Sequence, residues 1–317
     1  MAKRRRDSEA LKQQRRAREG ERARAERRRQ LLGFSAAAVF ALVATAVVAI
    51  AVTAGGDDGS GGGHGGSGPD LAHVHGLGVS PKDGTLYIAT HTGLFRAPPG
   101  RQTATRVGDS QQDVMGFSVV GPDRFLGSGH PGPGQDAPPN LGLIHSGDAG
   151  RSWEPVSLLG EADFHVLRSQ GSAVYGFNGL TGALMVRSDG GRDWDEHEPP
   201  GPTLDLAIHP EQPSRVVAST DEGLFSSSDE GRGWRSLADG RVGFLAWPEP
   251  ERLYMVDGAG RVSRSGDGGQ SWREMGSIDA QPAAFAAARR DLYAALPDGT
   301  IKRSSDDGAS WTVRAEP

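Results

Sequence analysis

Cysteine is absent from the 317 residues. Disulfides, thiolate metal sites and a cysteine nucleophile are therefore excluded. Tyrosine is scarce, with four residues, and aromatics make up 6% of the chain. Basic charge is missing where a nucleic-acid binder would need it. Residues 1–30 hold 13 Lys/Arg against 5 Asp/Glu, but the remainder holds 22 against 35. That asymmetry argues against nucleic acid as the partner of the whole chain. Long apolar runs are also few. Leu31–Ala54 is a stretch of 24 residues without a charge. As a helix it would be about 36 Å long, enough to cross a hydrocarbon layer of about 30 Å with some tilt.

These features predict four segments: a basic cytoplasmic segment (1–30), a transmembrane signal anchor (31–54), a Gly-rich tether (55–70) and an outer domain (71–317). The arginine-rich flank holds the N-terminus inside, which places the outer domain on the extracytoplasmic face of the cell membrane. Cleavage as a signal peptide after Val52–Ala54 is the alternative. A retained anchor fits better, because signal peptides carry apolar regions of about 7–15 residues. The tether, GGDDGSGGGHGGSGPD, behaves as a flexible coil spanning roughly 20–24 Å.

What the chain does have is turn, with 47 glycines, and one phrase used five times. Ser146–Trp153, Arg187–Trp194, Ser227–Trp234, Ser265–Trp272 and Ser304–Trp311 each run serine, aspartate, glycine, tryptophan. The aspartates are Asp148, Asp189, Asp229, Asp267 and Asp306, and Arg187 replaces the first serine of the second copy, with Ser188 displaced by one. The tryptophans Trp153, Trp194, Trp234, Trp272 and Trp311 are 41, 40, 38 and 39 residues apart. A period near 40 marks a propeller, solenoid or array. Around each phrase, alternating apolar residues and Gly-centred turns make a four-stranded meander, A to D from the axis outward. Thr85–Phe95 matches Arg215–Phe225 in pattern but lacks the phrase, so it opens a degenerate first unit. The units run 71–108, 109–157, 160–198, 201–238, 241–276 and 280–315. The expected fold is all-β: a six-bladed propeller of four-stranded antiparallel blades, preceded by one transmembrane helix. Because the chain opens on an A strand and closes on a D strand, ring closure is expected to rest on face packing between the first and last blades.

The five phrases resemble the Asp-box (BNR) repeats of sialidase-like propellers. That resemblance implies a structural role. Aspartate and serine cap a tight turn, glycine takes a positive φ, and tryptophan packs beneath. The alternative, carbohydrate stacking on the tryptophans, asks more of aromatics that usually pack. Segments at His73–Gly78, Ala89–Phe95, Gly127–Pro131 and Gly160–His165 are similar to a bacterial, membrane-anchored Asp-box family labelled glycosylhydrolase without an established activity.

Topology places the phrases at one end of the ring and the A-strand starts and B–C turns at the other, where propellers bind ligands. A-strand starts bring His73 and His75, Asp113 and Met115, then Glu161, Asp163 and His165. B–C turns bring His91, His130, Asn178, Asp221, Asp257 and Asp298. The spacing of His73 and His75 places both rings on one strand face. Imidazole with carboxylate suits a divalent transition metal or acid–base work. A satisfied polar channel is the alternative. Ligand-binding candidates are His73, His75, His91, His130 and His165. The metal-ligand candidates are His73, His75 and His165. A long insertion, residues 127–140, enlarges the B–C turn of the second blade.

Two functions stay open. A glycoside hydrolase would use Asp113, Glu161 and Asp163 as acid, base or nucleophile. A true sialidase is disfavoured: there is no Arg-Ile-Pro segment and no arginine clamp, and Tyr87, Tyr175, Tyr254 and Tyr293 fall inside B strands. The alternative is a non-catalytic surface propeller binding a protein, glycan or metal.

Overall fold

The computed structural model describes residues 71, 73–188, 190 and 193–317. The basic segment, the anchor and the tether lie outside the described residues, as does Asp189 of the second phrase. Among the described residues no helix is long and apolar enough to cross a membrane.

Six four-stranded antiparallel meanders make up the fold, each with its strands in sequence order. Blade 1 holds β1 (Val74–Val79), β2 (Leu86–Thr90), β3 (Gly93–Ala97) and β4 (Thr105–Arg106). Blade 2 holds β5 (Asp113–Gly121), β6 (Arg124–His130), β7 (Leu143–Ser146) and β8 (Glu154–Ser157). Blade 3 holds β9 (Phe164–Gln170), β10 (Ala173–Asn178), β11 (Ala183–Arg187) and β12 (Asp195–His197). Blade 4 holds β13 (Thr203–Ile208), β14 (Val216–Thr220), β15 (Gly223–Ser227) and β16 (Arg235–Asp239). Blade 5 holds β17 (Gly243–Glu249), β18 (Arg252–Asp257), β19 (Arg261–Ser265) and β20 (Arg273–Ser277). Blade 6 holds β21 (Ala284–Ala288), β22 (Asp291–Ala295), β23 (Ile301–Ser304) and β24 (Thr312–Ala315). The inner strands touch in the order β1, β5, β9, β13, β17, β21, and β21 returns to β1. The ring is closed.

The core lies between blades. Leu77, Ile88 and Phe95 of blade 1 pack against Ala284, Tyr293 and Ile301 of blade 6. Tyr87 and Ala89 meet Phe117 and Phe125 between blades 1 and 2. Face packing therefore holds the ring, as expected, but it does not act alone. Arg314 of β24 donates to the carbonyls of Ala97, Pro98 and Arg101 in blade 1. The Glu316 N–H donates to the Gln102 carbonyl at 2.9 Å, beside a parallel bridge between Thr103 and Glu316. The C-terminal tail stitches the last blade to the outer edge of the first.

The repeated phrase builds one turn four times over. Ser146, Ser227, Ser265 and Ser304 each accept the N–H of the phrase glycine at 2.8–2.9 Å. Each hydroxyl donates to the aspartate two residues on, at 2.7–2.9 Å. That aspartate in turn accepts the backbone N–H of Ser152, Gly233, Ser271 or Ser310, at 2.9 Å in every case. Bonds from Ser152, Ser271 and Ser310 hold Asp148, Asp267 and Asp306 down at a pKa of about 2. Gly150 takes a φ of 85° to close its turn, a conformation that excludes most side chains. The five tryptophans are half-buried, and Trp272 and Trp311 donate to their own phrase glycine carbonyls. The four tyrosines are buried in β2, β10, β18 and β22. Tyr175 donates to the Pro213 carbonyl and Tyr254 to Asp307, each pinning its blade to the next.

Candidate functional site

The polar residues of the mouth are positioned by one recurring irregularity. Against their B strands, β1, β5, β9 and β13 each carry a one-residue register shift near the start. The extra residues are His75, Met115, His165 and Leu204; β17 and β21 start in unbroken register. An extra residue bends the strand and re-aims its side chain. His73, outside β1, and His75, its extra residue, both bring their rings against His91. His73 precedes β1 with a φ of 60° and meets the site through the edge of the His91 ring, 5.2 Å between centroids.

His91 is presented by a turn that Thr90 closes. The Thr90 hydroxyl donates to the Gly93 carbonyl at 2.9 Å and accepts the Thr92 N–H at 3.1 Å. Arg106 donates to the Thr92 carbonyl. Asp113, the first residue of β5, stands opposite His130, the last of β6. Gly129 makes that approach feasible: a Cβ there would fall 2.0 Å from the Asp113 carbonyl oxygen.

Two imidazole–carboxylate clusters result. In the first, His91 Nδ1 lies 2.7 Å from Asp113 Oδ2; an ionised carboxylate only accepts, so the ring N–H donates. His75 Nε2 is 3.7 Å from Asp113 Oδ1, and its ring meets His91 edge-on at 4.2 Å. Among the described residues, both His75 Nε2 and Asp113 Oδ1 are buried without a hydrogen-bond partner. Burial, reinforced by His91, lowers the His75 pKa to about 4 against the opposing pull of Asp113. His75 is therefore neutral, with a nitrogen lone pair, at neutral pH. The hydrogen bond to Asp113 raises His91 instead. Donor atoms of His75, His91 and Asp113 all lie within 4.8 Å of one another.

In the second cluster, His165 Nε2 donates to Asp163 Oδ2 at 2.8 Å, and His130 Nε2 lies 4.0 Å from the same oxygen. Asp163 is buried, and its N–H is held by Asn178 Oδ1 at 3.1 Å. The 127–140 insertion contributes the Pro139 carbonyl, which accepts from His130 Nδ1 at 2.8 Å.

Of the candidate acids, Asp113 and Asp163 thus enter clusters, while Glu161 is exposed on the turn before β9. Of the metal candidates, His75 joins the first cluster, His165 the second, and His73 flanks His91. Asp257 and Asp298 cap their own turns, the former also pairing with Arg261 at 2.8 Å. Asp221 is exposed.

Below His75 the axis holds a cavity of about 320 Å³, lined by the inner strands, with Phe117, Trp247 and Phe285 among its apolar walls. Arg168 reaches into it. Sequence reading missed this arginine and its partner Asp205. Arg168 Nη2 donates to Asp205 Oδ1 at 2.5 Å, and the carboxylate also accepts the N–H groups of Leu206 and Leu245, both at 2.8 Å. Asp205 thereby ties β9, β13 and β17 together. The available signal was an acid inside the apolar run Leu204–Ile208, which could only be buried if paired.

Fold and rim define the class: a six-bladed β-propeller whose mouth is lined by histidine and aspartate. No family model matches the sequence, and neither does any curated protein. Among solved structures, the chain is similar to one in the nidogen/laminin complex, with 12% identity over 74% of this chain and 93% of that one, at a TM-score of 0.57. It is also similar to the GH74 xyloglucanase from Xanthomonas campestris, with 18% identity over 76% of this chain and a TM-score of 0.50. It spans 45% of that enzyme's length. YCF48 from Cyanidioschyzon merolae aligns at 15% identity over 77% of this chain and 85% of that one, at a TM-score of 0.48. At these identities the likeness is one of fold alone.

Proposed function

We propose that this protein is a membrane-tethered, extracytoplasmic propeller that binds a divalent transition metal through His75, His91 and Asp113 and offers the remaining coordination positions to a ligand. One observation carries the metal reading. His75 Nε2 and Asp113 Oδ1 are buried, 3.7 Å apart and without hydrogen-bond partners among the described residues. Each orphaned group costs about 1–3 kcal/mol, which a shared cation would recover. Metal–ligand bonds of about 2.0–2.1 Å give tetrahedral ligand edges of about 3.3 Å; the unpartnered His75 Nε2 and Asp113 Oδ1 stand 3.7 Å apart, and the metal would displace the proton that His91 Nδ1 shares with Asp113. Two imidazoles and one carboxylate leave positions open for water or a ligand. The tether rests on Leu31–Ala54 and its basic flank; the phrase turns support a place among Asp-box propellers.

Glycoside hydrolysis is the second reading. It is favoured by Asp163, a buried carboxylate whose Oδ1 has no hydrogen-bond partner among the described residues, facing the same mouth as Asp113. Purified full-length protein in detergent, dialysed against micromolar Zn(II), is expected to retain metal; Asp113→Asn or His91→Ala should weaken uptake by about 100-fold. A wild-type protein that retains none would overturn the metal reading. A chromogenic glycoside panel run alongside separates the two functions: turnover abolished by Asp163→Asn selects the hydrolase. Protease added to intact cells tests the tether, and a propeller protected from it would refute the outward orientation.

A further inference from the structure

We propose that the axial cavity below His75 binds a small polyhydroxylated carboxylate, with Arg168 taking its carboxylate and the open edges of the inner strands taking its hydroxyls. The site stands apart from the metal reading and does not depend on it.

The cavity wall follows from the fold. Successive residues of a strand point to opposite faces, yet His75–Val79, Phe244–Pro248 and Ala284–Ala288 line the cavity without a gap. What β1, β17 and β21 turn toward the axis is therefore an edge, not a face. Each of these strands is the end member of its sheet, paired only with its B strand. Its other edge carries backbone N–H and C=O groups outside any ladder. Such an edge suits hydroxyl groups, which both donate and accept. Ser118 and Ser169 add a hydroxyl pair to the same wall, 2.9 Å apart, and Phe117, Trp247 and Phe285 offer apolar surface to a carbon skeleton. The volume of about 320 Å³ lies at the small end of ligand pockets, which run from about 300 to 1,000 Å³.

Charge selects the anion. Apart from His75, Arg168 is the one ionisable side chain lining the cavity, in an outer domain with more acid than base. Its partner Asp205 stands behind it, 1% exposed, with one oxygen accepting from Arg168 and the Leu206 N–H and the other from the Leu245 N–H. Of the five guanidinium N–H groups, Nη1 gives one to the Leu167 carbonyl at 3.1 Å and Nη2 gives one to Asp205. The rest have no partner among the described residues, on a side chain 30% exposed. A guanidinium held from behind by one carboxylate presents its remaining donors to a second, which it grips at two points.

Calorimetric titration of the full-length protein, in detergent and chelator, with gluconate tests this. One equivalent is expected. Glucitol, with a hydroxymethyl group in place of the carboxylate, should bind roughly 10- to 100-fold more weakly, the worth of a hydrogen bond to a charged group. Arg168→Lys keeps a cation beside Asp205 but removes the fork, and should weaken gluconate by a similar factor. Absent gluconate binding, equal binding of glucitol, or binding unchanged in a folded Arg168→Lys protein overturns the proposal. So does binding that appears only when Zn(II) replaces the chelator, which puts the anion on the His75 metal instead. Should Arg168→Lys fail to fold, the comparison of gluconate with glucitol on the wild type decides. Zn(II) retained by a protein that ignores gluconate leaves the metal reading standing while this one falls.

Discussion

At the residue scale, Asp267 shows how one side chain holds a corner of the ring. Its two oxygens accept from Ser265, from Ser271 N–H and from Ser271 Oγ. Asp267→Ala leaves those donors to water and should lower stability by about 1–3 kcal/mol, seen as a lower urea midpoint with an unchanged slope. The same bonds set a pH dependence. Asp148, Asp267 and Asp306 titrate near 2 when folded, below their ordinary 3.8. The unfolded chain therefore binds more protons in that interval. The turns contribute stability above about pH 4 and lose it as pH falls toward 2. Urea midpoints measured from pH 5 to pH 2.5 should fall, and Asp267→Asn should flatten part of that slope. Asp205 is the opposite case, 1% exposed and raised by burial against the pull of Arg168. Asp205→Ala strands a guanidinium and two inner-strand N–H groups, at about 3 kcal/mol or more.

At the element scale, the chain's ends decide how the wheel closes. A meander that starts at the axis and finishes at the rim exchanges no strand between first and last blades. Arg314 and the Thr103–Glu316 bridge substitute for that exchange. Arg314→Ala should speed amide exchange at residues 102–107 while leaving blades 3 and 4 protected, because local opening samples the weakest edge first. The register shifts act at this scale too. The spacing of His73 and His75 was legible, and both rings meet His91, but the extra residue in β1 was not. No side-chain pattern announces such a shift. Next to the shifts in β1, β5 and β13 stand Gly76, Gly116 and Asp205, each packed against the neighbouring blade.

At the scale of the whole molecule, packing of successive blades makes neighbours of residues 22 to 38 apart in sequence, His91 with Asp113 and His75 with Asp113. His91, Asp113, His130 and Asp163 come from three blades, and no one blade contains a complete cluster. Ligand that binds only the folded ring should therefore stabilise all of it. Zn(II) at 100 times its dissociation constant should add about 2.7 kcal/mol, read as a raised unfolding midpoint that Asp113→Asn abolishes.

By itself the sequence determined the number of blades, the structure of the turns and which end of the wheel carries histidine and aspartate. Each of those follows from local periodicity, and a serine–aspartate–glycine turn satisfies its own hydrogen bonds within a few residues. Only the tertiary structure decided which imidazole meets which carboxylate, that Glu161 stays outside while Asp163 is buried, and that Arg168 and Asp205 form a buried pair. Those outcomes depend on one-residue register shifts and on contacts between successive blades, and both are set by how the inner strands pack around a common axis.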